Sequence, residues 1–137
     1  MDERDMADLE IQGWEEDRSR EEEKDKVADL MVKVVGVSHK NLDGSSRQEI
    51  LAEIFKAEGV FSITLVREPE NEYDSNAIMV FANGKQVGYI GKDEATLLSP
   101  LMDAGVRFEA EVFDFDHYLN EKEKKDIYFL HILVREV

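Results

Sequence analysis

Cysteine is absent from the 137 residues of the chain. That absence excludes disulfides, thiol catalysis and thiolate metal centres. No apolar run approaches the ~18 residues that a membrane-spanning helix requires, so no membrane partner is expected. The opening residues, Met1-Asp2-Glu3-Arg4-Asp5, lack the basic flank and apolar stretch of a secretory signal, and a cytoplasmic address is the expectation. Cations are scarce as well: 17 Lys and Arg stand against 32 Asp and Glu, a net charge of −15. Binding to a polyphosphate backbone begins with cations, so the bulk charge argues against a broad nucleic-acid surface. Any anion site must be a local basic patch in an unfavourable field, a field that salt screens beyond about 8 Å.

What is present divides in two. Residues 1–26 carry 12 acidic and 5 basic side chains, with Met6, Leu9, Ile11 and Trp14 as the apolar anchors. Such a charged arm is expected to be disordered or a frayed helix, and Trp14 is either an incidental exposed aromatic or an anchor for a partner. Residues 27–137 are expected to form one domain.

Within that domain β periodicity begins at Met31–Ser38. Ser46 followed by Glu49 is a capping box, and Ile50, Leu51, Ile54 and Phe55 recur at helical spacing up to Gly59. Val60–Arg67 alternates as a second strand, with Phe61, Ile63 and Leu65 on one side. Asn76–Ala82 is a third strand, with Ile78 and Val80 inward. Asn83-Gly84 predicts a type I′ hairpin into Lys85–Ile90. Ser99-Pro100 fits an N-cap followed by the first helical position, which predicts two short helices after the hairpin. Val106–Val112 and Ile127–Arg135 complete six strands, with a solvated loop at Tyr118–Asp126. Six short strands and two helical insertions predict a mainly β fold, a small, partly closed, OB-like barrel.

The loop between the second and third strands carries Asn71-Glu72-Tyr73-Asp74-Ser75-Asn76, and Tyr89 lies in the strand paired beyond the hairpin. One reading is structural, with Asn71, Asp74 and Asn76 bonding their own backbone and Tyr73 covering the barrel end. The other is a site in which Tyr73 and Tyr89 stack on a base and Asp74 accepts a bond from a sugar hydroxyl, which a carboxylate tolerates better than a phosphate. Lys40, Arg47 and Lys92 lie near predicted helix N-termini, where amide donors favour anions. Spacing alone reads them as solvent-facing charges, and His39 as an ordinary surface or half-buried histidine. His39–Ile50 echoes a calcium loop, but positions one and twelve carry the wrong residues. His39, His117 and His131 show no metal-ligand spacing, and no nucleophile elbow or Gly-rich phosphate loop occurs. No metal, cofactor or catalytic residue is therefore expected.

The blocks Val35-Gly36-Val37, Asp43 to Gln48, Leu65 to Pro69, Asn71 to Ile78, Val87 to Ile90 and Leu98 to Asp103 occur in one order. Together they resemble the HIRAN family, a domain found alone in bacteria and phages and attached to helicases in eukaryotes. The resemblance runs from about Lys33 to the C-terminus. It implies a modified OB-like barrel that binds single-stranded DNA, in helicase-linked members by capturing a free 3′ end, in a repair, replication or mobile-element setting. Position by position, it puts the family's Tyr-Asp pair on Tyr73 and Asp74, an end-contacting residue on Tyr89 and a phosphate-approaching base on Lys92. Glu72 stands where the family usually has proline, and Ser38-His39 replaces Arg-Tyr. Arg47, in the Ser-Arg-Gln segment of stand-alone members, is the compensating cation.

The resulting expectation is a non-catalytic module that recognises a single-stranded DNA 3′ end through Tyr73, Asp74, Asn76, Tyr89, Lys92, Arg47 and His39. Its rival is an acidic adaptor that binds protein through the arm or a barrel face, without DNA. A nuclease built on Asp74, Glu68 and a divalent ion is a distant third.

Overall fold

The computed structural model describes residues 29–57, 59 and 62–137. The acidic arm with Trp14, and Val60 and Phe61 of the second expected strand, lie outside them. The described residues form six strands: β1 (Leu30–Val35), β2 (Ile63–Arg67), β3 (Ile78–Ala82), β4 (Lys85–Ile90), β5 (Phe108–Asn120) and β6 (Lys125–Glu136). Helix α1 (Arg47–Lys56) follows β1 and helix α2 (Lys92–Asp103) follows β4. The strands close into a barrel in the order β1-β4-β3-β2-β5-β6, every neighbouring pair antiparallel.

Alternation in the sequence becomes alternation of faces. Val32 and Val34 of β1, Ile78, Val80 and Ala82 of β3, and Leu130, Ile132 and Val134 of β6 point into one core. Leu51 of α1 and Leu98 of α2 join the same cluster. Ser46 caps α1, its hydroxyl accepting from the Glu49 amide at 3.2 Å. At the β3–β4 turn Asn83 and Gly84 take φ of 52° and 85°, the positive values a type I′ turn demands. The Asn83 carboxamide also accepts from the Ser62 amide at 3.1 Å, tying that turn to the start of β2.

Two expectations are corrected. The two short helices after β4 are one, α2, which runs through Pro100. Ser99 is not a cap: it is fully buried and donates to Asn76 at 2.9 Å. Leu98 and Ser99 are both held in the interior, which keeps the last turn in register. The bond that Pro100 cannot donate would have gone to the carbonyl of exposed Thr96, where water can replace it. The expected loop Tyr118–Asp126 is also largely strand, since β5 and β6 pair as far as Asn120↔Lys125. Cross-strand packing of Tyr118 on Phe129, ring centroids 6.4 Å apart, rewards extension that a purely charged segment would not.

Gly88 sets how closely β1 and β4 approach. A Cβ there would lie 2.4 Å from the Val35 carbonyl oxygen and 2.7 Å from Val34 Cγ1, neither of which is a flexible side-chain end. Gly88→Ala should therefore lower unfolding stability by about 1 to 3 kcal/mol, read from urea denaturation. A loss below about 0.5 kcal/mol would show that β1 and β4 separate freely.

Candidate nucleic-acid interface

The loop from Glu68 to Ala77 is built from its own side chains. Asn71 Oδ1 accepts from the amides of Tyr73 and Asp74 at 2.8 and 3.0 Å, and Asp74 Oδ1 accepts from the Asn76 amide at 2.9 Å. The structural reading holds for Asn71 and Asp74 but not for Asn76, whose Oδ1 accepts from Ser99, nor for Tyr73, which does not cover the barrel end. Tyr73 projects into solvent, 93% exposed, with Asp74 half-buried beside it.

Both ends of the loop are anchored. At one end, Arg67 donates to the carbonyls of Ala77 and Ser75 at 2.6 and 2.9 Å, and grips Asp103 of α2 through two bonds of 2.9 and 3.1 Å. The hydrogen bond from Arg67 holds the Asp103 carboxyl below its ordinary range, and the same bond raises Arg67. At the other end, Glu68 Oε1 accepts from both Asn71 Nδ2 and the Tyr89 hydroxyl, each at 2.7 Å. Burial first, and then this bond to Glu68, push the Tyr89 phenol up from its ordinary value. Tyr89, Glu68 and Asn71 therefore form a continuous chain to the backbone under Tyr73 and Asp74. Asn76 is fixed separately by buried Ser99.

Arg47 departs from the solvent-facing charge that spacing alone suggests. It is only 7% exposed. Its Nε donates to Asn41 Oδ1 at 2.7 Å, its Nη1 donates to the Gly36 carbonyl at 2.8 Å, and its guanidinium carbon lies 5.3 Å from the Tyr89 ring centroid. Gly36 permits this with φ +72°, and a Cβ there would sit 3.2 Å from Nη1. Asn41 is held in turn by donating to the Gln86 carbonyl and Ser45 Oγ, both at 3.0 Å. Among the described residues no carboxylate pairs with Arg47.

The structure thus joins Arg47 to Tyr89, and Tyr89 through Glu68 to the Tyr73-Asp74 loop. His39 is exposed one turn from Gly36, whose carbonyl accepts from the His39 amide at 3.1 Å. Lys92 is exposed at the first position of α2. The His39 ring borders the joined group, its Cδ2 and the Tyr89 ring each 3.9 Å from where a Cβ on Gly36 would stand, and among the described residues no hydrogen bond ties Lys92 to that group. Lys40 lies elsewhere, in a groove of about 700 Å³ with Glu49, Glu53 and Lys85. Sequence reasoning missed Glu68 and Asn71 as the coupling pair. Their spacing of three across a proline turn was the available signal. Among the described residues no group of His, Asp and Glu is placed to hold a metal.

Residues 29–129 match the sequence profile of the HIRAN domain. The chain belongs to the HIRAN domain family. A helicase-like transcription factor from Oryctolagus cuniculus is 52% identical over 42 residues, which are 30% of this chain and 4% of that protein. The aligned segment is therefore a small part of that relative's length. The crystal structure of the HIRAN domain of human HLTF is 24% identical, with a TM-score of 0.48 over 80% of this chain and 78% of that one. A Lactobacillus plantarum protein of known structure is also 24% identical, with a TM-score of 0.49 over 79% of this chain and 99% of that one.

The Tyr89 bond gives this HIRAN domain an alkaline signature. A phenol whose folded pKa is raised contributes stability below its unfolded value, near 10, and loses it as pH climbs through the folded value. Tyr89→Phe should cost about 1 kcal/mol near neutral pH. The gap between the two proteins should narrow above about pH 10, as read from paired urea titrations. An unchanged gap would mean that the hydroxyl does not carry the loop.

Proposed function

We propose that this HIRAN domain is a non-catalytic module that captures a single-stranded DNA 3′ end. The observation that carries the reading is the cation at the foot of the loop: in a molecule of net charge −15, a guanidinium without a carboxylate partner among the described residues rests on the Tyr89 ring. That ring is bonded through Glu68 to the loop that displays Tyr73 and Asp74. A terminal base stacks on Tyr73 and on the Tyr89 face that Arg47 does not cover. Arg47 neutralises a phosphate from below, and Lys92 at the start of α2 takes a second.

Asp74 selects the terminus. One of its oxygens is used by the Asn76 amide, and the other accepts a bond from a sugar 3′-hydroxyl. A 3′-phosphate placed there would face the carboxylate and be repelled. Asn76 and Ser99 hold the loop floor, and His39 lines the approach beside Gly36. HIRAN membership supports the nucleic-acid partner, and the geometry supports the assignment of roles. The acidic-adaptor reading gains no support from this site, because an adaptor has no need of a carboxylate-free buried arginine.

Tyr73→Ala should weaken binding of a short 3′-hydroxyl oligonucleotide by about 1 to 3 kcal/mol, measured by fluorescence anisotropy, with thermal stability unchanged. Wild type should bind a 3′-phosphorylated twin markedly less well, and Asp74→Asn should erase the difference. Equal affinity of wild type for both oligonucleotides would remove the hydroxyl-selecting role. With two phosphates neutralised, log affinity should fall with log salt at a slope of about −1.4. A much steeper slope would mean that a wider basic surface engages the strand.

A further inference from the structure

The β5–β6 hairpin outruns the barrel, and its two edges are treated differently. β5 pairs with β2 at Ile63↔Ala110, whereas its pairing with β6 continues to Asn120. The Gly59 amide closes the end of α1 on the Ile54 carbonyl at 2.9 Å. On the β6 edge, Gln48 of α1 acts as a surrogate strand: its Nε2 donates to the Tyr128 carbonyl at 2.9 Å, and its Oε1 accepts from the Tyr128 amide at 2.8 Å. Among the described residues no other strand or helix does this for β5 beyond the bulge at Phe113, and the one edge group taken by a side chain is the His117 amide, which donates to Asp116 Oδ1 at 2.8 Å. Among the described residues about 24 Å of strand edge, Asp114–Asn120, is left without a strand partner.

This edge is rigid. On its inner face Phe115 and His117 pack on Phe55 of α1, with centroids 5.1 and 5.2 Å apart, and Tyr128 joins them at 5.6 Å from Phe55. The register places Asp114, Asp116 and Tyr118 together on the outer face, opposite His131, Phe129 and Ile127. Tyr118 and Leu119 are 54% and 60% exposed. Bulges and charges are the usual protection against an edge pairing with its own kind, and here a second copy in the register that sets Asp114 against Asp116 would place carboxylate against carboxylate. They do not exclude a strand of opposite sign.

We propose that the β5 edge Asp114–Asn120 is a docking site for an extended cationic segment of another protein, added as a further strand, with Lys or Arg at alternate positions facing Asp114 and Asp116 and apolar residues contacting Tyr118. Backbone bonds supply the register and the carboxylates supply the choice of partner.

The probe is a fluorescein-labelled decapeptide alternating lysine and valine, titrated into the full chain. A second decapeptide of identical charge is N-methylated at alternate backbone amides. Strand addition predicts binding of the first, at least about tenfold weaker binding of the second, and a similar loss for Asp114→Lys/Asp116→Lys. Amide shifts should concentrate on Asp114–Asn120. Asp116→Lys alone, checked for folding by circular dichroism, supplies the answer if the double variant misfolds. Equal binding of both peptides, shifts centred on any other surface, or no binding would overturn the proposal. So would a concentration-dependent dimer seated on this edge.

Discussion

A guanidinium withheld from water must be satisfied, and Arg47 is satisfied by neutral groups: the Gly36 carbonyl, the Asn41 carboxamide and the face of Tyr89. Burying a charge without a counter-ion is costly, and neutral acceptors offset that cost without cancelling the charge. Much of the local structure follows from this. Gly36 must have no Cβ and must take a positive φ, the turn at Asn41 must present its oxygen inward, and Tyr89 must lie flat against the cation. Remove the guanidinium, and the Gly36 carbonyl and Asn41 Oδ1 each lose a donor.

Arg67 is the instructive contrast. It too is largely buried and bonds two backbone carbonyls, but Asp103 meets it with two hydrogen bonds. Its charge is spent inside the molecule, fastening α2 to the β2–β3 loop. Arg47 keeps its charge available. The two arginines bracket one loop, one as a fastener and one as an attractive field, and the difference lies in a single carboxylate. Glu68 stands between these roles: its acid accepts from Tyr89 and Asn71 rather than from a cation, so it ties the loop to the ring without neutralising Arg47.

Much of this was legible in the chain. Val-rich and alternating apolar residues placed β1 and β3, Asn83-Gly84 named its own turn and with it β4, and Ser46 with Glu49 marked the start of α1. Pro100 misled, because a proline near a serine looks like a helix start whenever the burial of Ser99 is unknown. Tyr118–Asp126 misled because its charges face outward from a strand and its aromatics pair only across strands, which a one-dimensional pattern cannot display. Arg47 was visible as a cation but not as a buried one. Its acceptors are a backbone carbonyl eleven positions away and an asparagine six away, and neither spacing belongs to any local motif.

The acidity that first argued against a nucleic-acid partner bears on which kind of nucleic acid such a site tolerates. A duplex lays down about one negative charge per 1.7 Å, and across this surface it would meet carboxylates over its whole length. A single-stranded terminus presents one or two phosphates to one cleft and points the rest into solvent, where salt screens the repulsion within about 8 Å. On the proposed reading, the negative body therefore works with Arg47: the local cation admits an end, and the surrounding field discourages internal segments from lying across the barrel. Specificity for a terminus then comes as much from what the surface repels as from what Tyr73 and Asp74 hold.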